Sequence, residues 1–393
     1  MAERRRRVSD RVDLLALMAA KEMVLVCGSG GVGKTTTAAA MAVSAVTEIG
    51  GRVLVLTVDP ARRLADALGV GQIGNEATLV PDSAFLDAGV EPRGELWAAM
   101  LDTKAGWDDL IRLHAPNEKM RQAVLANSTY QNIASRFVQS HDYLAMERLH
   151  ELHSSGEYDL IVVDTPPSRN ALDILDSPRR MKEFFRSWLL RWLTAPYRSK
   201  LFSMASKPFY QIADRVLGSR LLEDIAEFFM LFQAMEKGFV RHADEVEQLL
   251  ADPRTTFVVV STLEAAPSYE AAYFARELVR RRYHLGAIIA NRVLPTSMTA
   301  KASATSARKL VKAAGGELSD QVAEQLGAQP DVVGDVLTEI GTRFHDVAVV
   351  ATREAERQAE LAELCHLLVT APVLDRDVND VADLLELAAH FTS

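Results

Sequence analysis

"GSGGVGKTTTAAAMA", residues 28–42, decides the fold. Its first eight residues fit the Walker A pattern, with Gly28 opening it and Gly33, Lys34 and Thr35 closing it. An apolar run, "EMVLVCG" (22–28), leads in, and a helix-forming run, "TTAAAMAVSAV", leads out. Strand, glycine loop and helix in that order are the context the pattern requires. Gly30, Gly31 and Gly33 let the backbone N–H groups around Val32 turn inward onto phosphates. The helix N-terminus adds its positive end. Lys34 is expected to reach the β and γ phosphates. Thr35 is expected to hold Mg²⁺ through its hydroxyl, and Thr36 to bond the α-phosphate. The ligand implied is a nucleotide's phosphates with Mg²⁺.

Five further runs read as strands: "RVLVLTV" (52–58), "YDLIVVD" (158–164), "TTFVVVS" (255–261), "GAIIANR" (286–292) and "CHLLVTAPV" (365–373). They are nearly continuous in Val, Ile and Leu, as strands covered on both faces are. Helical stretches such as 33–49 and 266–283 alternate with them. The expected fold class is α/β: a doubly wound, mostly parallel sheet of the P-loop NTPase type. Two segments, about 103–155 and 170–250, are too long for simple crossovers and read as helix-rich. Because the sheet resumes after each, they are taken as one inserted helical subdomain. The chain then reads as an N-terminal arm and helix (1–20) followed by a single P-loop domain (21–393), with a third helical region at 300–364.

Composition narrows the function classes. A net charge of −9 over 393 residues argues against a protein built to wrap nucleic acid. The only cysteines, Cys27 and Cys365, stand at opposite ends of the chain, which suits a reducing compartment and excludes a Cys-rich zinc site. Behind the four arginines of "MAERRRR", "VSDRVDLL" is charged where a signal peptide needs an apolar run. No run of about 18 uncharged apolar residues occurs. A cytoplasmic location is expected.

Two aspartates sit at strand tips, where open α/β sheets place ligand groups. Asp59, in "TVDPARRLADALG", can orient the attacking water or the water shell of Mg²⁺, and it can equally cap the helix that follows. Asp164, in "VVDTPPSRNALDIL", ends an apolar strand as a Walker B aspartate does and is expected to bind Mg²⁺ through water. Arg169 touches phosphate or is a solvated loop charge. Within 177–235, Phe184, Phe185, Trp188, Leu189, Trp192 and Leu193 recur at helical spacing among basic residues. Such a face packs into a core, cradles an apolar helix or lies on an anionic membrane surface.

Taken together, these motifs resemble the ArsA family of ATPases, which includes the arsenite-pump ATPase and the guided-entry ATPases that carry tail-anchored membrane proteins. The resemblance covers nearly the whole chain. The loop at 28–42 is similar to that family's deviant Walker A, and the stretches after Asp59 and Asp164 look like its two switches. "AIIANR" resembles the strand whose asparagine meets adenine, here Asn291, and "TAPVLDRDVNDVADL" its final proline turn, which implies that Pro372 and Val373 flank the base. The resemblance implies an ATP hydrolase that opens and closes as a dimer around an apolar client. The sequence also departs from the family. Its signature lysine, which reaches across the dimer to the partner's nucleotide, falls on Ser29. Arg169 and Asn170 stand where the targeting relatives have Gly and His. Without Cys-x-x-Cys there is no zinc clasp, and two distant thiols cannot form the arsenite site. Three readings follow: a client-handling ATPase, slow as a homodimer or active with a lysine-bearing paralogue; a weakly hydrolysing, nucleotide-gated regulatory subunit; and a partitioning ATPase, against which Ser29 and the long inserts speak.

Overall fold

An eight-stranded sheet forms the centre of the molecule, in the order β3-β4-β2-β5-β1-β6-β7-β8. The structure is a computed structural model that describes residues 13–57, 63–71, 73–101, 103–127, 130–131, 140–166, 172–186 and 228–391. The strands are β1 (Met23–Cys27), β2 (Gly51–Thr57), β3 (Thr78–Leu79), β4 (Gly94–Met100), β5 (Leu160–Asp164), β6 (Thr255–Ser261), β7 (Leu285–Val293) and β8 (Leu368–Pro372). All adjacent pairs are parallel except β3 with β4. β1, β5 and β6 are buried along their whole length, which is why they read as unbroken apolar runs. The chain leaves β1 toward β2 on one side and later returns to β6 on the other. The two directions part beside β1, and a crevice opens there at the carboxyl ends of the strands.

Two apolar cores cover the two faces. One holds the helix after the loop, α2 (Lys34–Ser44), together with α1 (Leu14–Ala19) and the C-terminal helix α14 (Val381–Ala389). Leu14 and Met18 of α1 are buried in that core, so this helix is part of the packed body and not a free arm. The short helices α3 (Arg63–Ala67) and α4 (Asp82–Asp87) pack on the same side. The other core lies under α10 (Ala265–Arg280) and the end of α13 (Pro330–Ala362). Before α13 come α11 (Lys301–Ala313) and α12 (Glu317–Leu326).

A third core is built mainly from helices, with Leu101 just past β4: α5 (Thr103–His114), α6 (Glu118–Ala126), α7 (Ser140–Ser155), α8 (Asp173–Arg186), the helical stretch 228–234 and α9 (Glu236–Ala251). It settles part of the apolar face expected over 177–235. Phe185 stacks on Phe232 and Phe239, each ring 5.2 Å away, and is 1% exposed. Phe228, Phe232 and Met235 are buried with it. At these residues the aromatic spacing is core packing, not a client surface. Lys182 reaches Asp244 and Glu247 on α9, at 2.8 and 2.7 Å, so one of the basic residues ties two helices together. Trp188, Leu189, Trp192 and Leu193 lie outside the described residues.

The strands β3 and β4 were not expected from the sequence. "GELWAAM" carries glycine, glutamate and two alanines, a weak strand signal. It is a strand because it pairs along its length with β2, from Gly51 opposite Gly94 to Thr57 opposite Met100.

Candidate nucleotide site

The loop after β1 passes so close to β6 that only glycine fits at its start. A Cβ on Gly28 would stand 2.2 Å from the Val260 carbonyl oxygen. Gly33 adopts φ 94° and ψ 25° as the cap of α2, a left-handed conformation that an L side chain resists. A Cβ there would also stand 2.4 Å from the amide nitrogen of Asn291. The loop's glycines therefore answer to conformation and to crowding together.

Lys34 is folded back into the loop. Its side chain is buried, and Nζ donates to the Ser29 carbonyl at 2.8 Å. The ammonium thus sits against the loop's own backbone. The Ser29 hydroxyl oxygen is buried and has no hydrogen-bond partner, an orphaned polar atom inside a loop of phosphate-binding form.

Asp164 is fully buried at the tip of β5. The parallel register sets it beside Thr57 on β2. One carboxylate oxygen accepts from the hydroxyls of Thr35, at 2.6 Å, and Thr57, at 2.9 Å. Walker loop, β5 tip and β2 tip therefore meet at one carboxylate. Oxygen-only donors gathered in this way suit a hard, small cation, and Thr35 with Asp164 fits Mg²⁺ by that criterion. Thr57 is a member that the sequence reading missed. The signal was available, since it ends the strand that leads to Asp59. Asp59 itself lies outside the described residues, as do Arg169 and Asn170.

The remaining expected residues gather at a cavity of about 670 Å³ between the start of α2 and the ends of β7 and β8. Gly33, Thr35, Thr36, Asn291, Pro372 and Val373 all line it. Asn291 is buried, donates to the Val32 carbonyl at 2.8 Å and accepts from the Arg292 N–H at 3.0 Å. One of its two amide N–H groups holds the loop. Arg292, at φ 58°, and Arg376 also border the cavity and were not anticipated. Arg376 is paired with Asp383 at 2.6 Å.

Burial pushes the Cys27 thiol, at the end of β1, up to about 12. It is a packing residue there and not a nucleophile. Among the described residues, no helix is long and apolar enough to cross a membrane.

The family described as "Anion-transporting ATPase" matches residues 21–328. "ATPase get3" of Aspergillus terreus is 26% identical over 273 residues, covering 69% of this chain and 73% of its own length. "ATPase get3" of Aspergillus niger is 25% identical over 288 residues, covering 73% and 77%. "ATPase get3" of Schizosaccharomyces japonicus is 27% identical over 278 residues, covering 69% and 74%.

Proposed function

Because the chain belongs to the anion-transporting ATPase family and is itself an ATPase, we propose that it hydrolyses Mg-ATP to drive the opening and closing of a dimer around an apolar client. The observation that carries the site assignment is the meeting of Thr35, Thr57 and Asp164 beneath the Walker loop. The amides around Gly31, Val32 and Gly33, with the N-terminus of α2, bind the phosphate oxygens. Lys34, now held on the Ser29 carbonyl, exchanges that acceptor for the β and γ phosphates. Thr36 bonds the α-phosphate. Asn291, Pro372 and Val373 line the pocket for adenine.

Mg²⁺ would be held by Thr35 and Asp164 and would neutralise charge on the transferring phosphate. Asp59 aligns a water with the γ-phosphate for in-line attack. The loop amides and Lys34 stabilise the charge that develops on the phosphoryl oxygens.

Ser29 bears on the rate. Its uncharged hydroxyl cannot supply the second cation that the family resemblance implies, so the homodimer turns over slowly. A paralogue bearing the lysine would complete the site across a heterodimer. The competing reading, a nucleotide-gated regulatory subunit that binds ATP and hydrolyses little, draws on the same serine. Calorimetric titration with ATP in the presence of magnesium, followed by turnover of wild type, Lys34→Ala and Ser29→Lys, tests the proposal. Lys34→Ala is expected to abolish hydrolysis and Ser29→Lys to raise turnover or dimerisation. No heat on titration would sink the ATPase assignment. Binding with no gain from Ser29→Lys favours the regulatory subunit.

A further inference from the structure

Outside the nucleotide site, three helices bring an uncommon set of side chains together. His114 ends α5, Glu147 and His150 stand on α7, and His242 and Glu245 stand on α9. The i,i+3 spacing of each pair places both members on one helix face. Ligand atoms of His114, Glu147 and His242 all lie within 4.8 Å of one another. His242 Nδ1 is 3.1 Å from one oxygen of Glu147, and His114 Nε2 is 3.8 Å from the other.

His114 is the telling member. Its side chain is 1% exposed, and Nε2 has no hydrogen-bond partner. The ring is wedged against Phe239, centroid to centroid 4.3 Å, and over Gly238, where a Cβ would come within 2.9 Å of Nδ1. Packing therefore fixes a buried nitrogen that points at a carboxylate from beyond hydrogen-bonding reach. A buried nitrogen without a partner, in either tautomer, costs stability unless something binds it.

We propose that His114, Glu147 and His242 form a binding site for one divalent transition-metal ion of the zinc class. Two imidazoles and a carboxylate are a donor set for zinc, with a fourth position left to water. Ligands about 2.0–2.1 Å from a tetrahedral zinc stand roughly 3.3 Å apart. One ligand atom from each of the three residues lies within 4.8 Å of the others, and His242 Nδ1 with its Glu147 oxygen, at 3.1 Å, is already near that spacing.

The surroundings fit as well. Tyr143 donates its hydroxyl to Glu147. On the far side of the His242 ring, Nε2 lies 3.9 Å from Glu245, beyond hydrogen-bonding reach as it stands; a bond closed there on metal binding would orient the ligating imidazole. A cavity of about 1020 Å³, bordered by Glu147, His150 and His242, offers an entry path and room for water. The cysteine count excluded a thiolate clasp; this set uses no thiolate. Bound metal would lock α5, α7 and α9 to one another.

The test is calorimetric titration of the tag-free full chain, first stripped with chelator, with zinc chloride. Magnesium in excess keeps zinc off Thr35 and Asp164. One zinc per chain is expected, with a rise in unfolding temperature on loading. His114→Ala and His242→Ala should each weaken binding by about a hundredfold or more, and Glu245→Gln by about tenfold. His345→Ala, at an exposed position on α13, should leave it unchanged. Absence of stoichiometric zinc, or undiminished affinity in folded His114→Ala and His242→Ala, overturns the proposal. If neither alanine variant folds, Glu245→Gln decides, and unchanged affinity there overturns it too.

Discussion

Gly33→Ala separates two demands that the phosphate loop makes on one residue. At φ 94° a Cβ costs about 1–2 kcal/mol in backbone strain. The added methyl would also displace the Asn291 amide, since it would lie 2.4 Å from Nδ2. That movement breaks the 2.8 Å hydrogen bond to Val32 in a buried place, a loss of about 1–3 kcal/mol. The two together come to about 2–5 kcal/mol. Gly31 is the internal control: its φ is 80°, but nothing lies within 4 Å of a Cβ there. Gly31→Ala should cost only the strain, about 1–2 kcal/mol. In an Asn291→Ala background, the steric part of the Gly33→Ala cost should vanish, leaving a coupling of about 1–3 kcal/mol. Guanidinium unfolding of the four combinations and of Gly31→Ala reads the stabilities, and Mg-ATP titration reads whether the loop keeps its shape. Equal costs at Gly31 and Gly33, or zero coupling with Asn291, would show that the crowding argument is wrong.

Other expectations are simpler. Asp164→Asn keeps the shape but removes the charge, so magnesium-dependent ATP affinity should fall at least about tenfold while magnesium-free binding changes less; calorimetry with and without the ion compares them. Phe185→Ala opens a void between Phe232 and Phe239 and should destabilise the helical core by about 3–5 kcal/mol, read as a lowered unfolding midpoint. A thiol held at about 12 stays protonated below that pH, so at pH 8 only about one Cys27 in ten thousand is thiolate. Iodoacetamide should spare it in the folded protein and modify it after denaturation, while raising the pH toward 12 should speed the reaction.

The sheet was legible wherever burial on both faces made the strands continuously apolar. β6 begins and ends where the sequence placed it, and β1, β2, β5 and β7 differ by no more than two residues at an end. β8 is shorter than read: Cys365, His366 and Leu367 precede it. β3 escaped because two residues at the sheet edge carry little signal, and β4 because its glycine, glutamate and alanines form strands weakly; only pairing makes them strands, β4 with β2 and β3 with β4. The aromatic run around Phe185 was ambiguous for a related reason. Helical spacing says that a face is apolar and nothing about what covers it.

By itself, the sequence determined the loop, the strand tips and the order in which they occur, because local backbone chemistry writes those signals: glycines where the chain must turn, a carboxylate where a strand ends. Tertiary structure decided which tips are neighbours. Parallel register put Thr57 against Asp164, and the crossing of β7 put Asn291 onto the Val32 carbonyl 259 residues away in sequence. It also gathered His114, Glu147 and His242 from three helices. Those meetings depend on how helices and strands pack to bury their apolar faces, and no local stretch of residues carries that information.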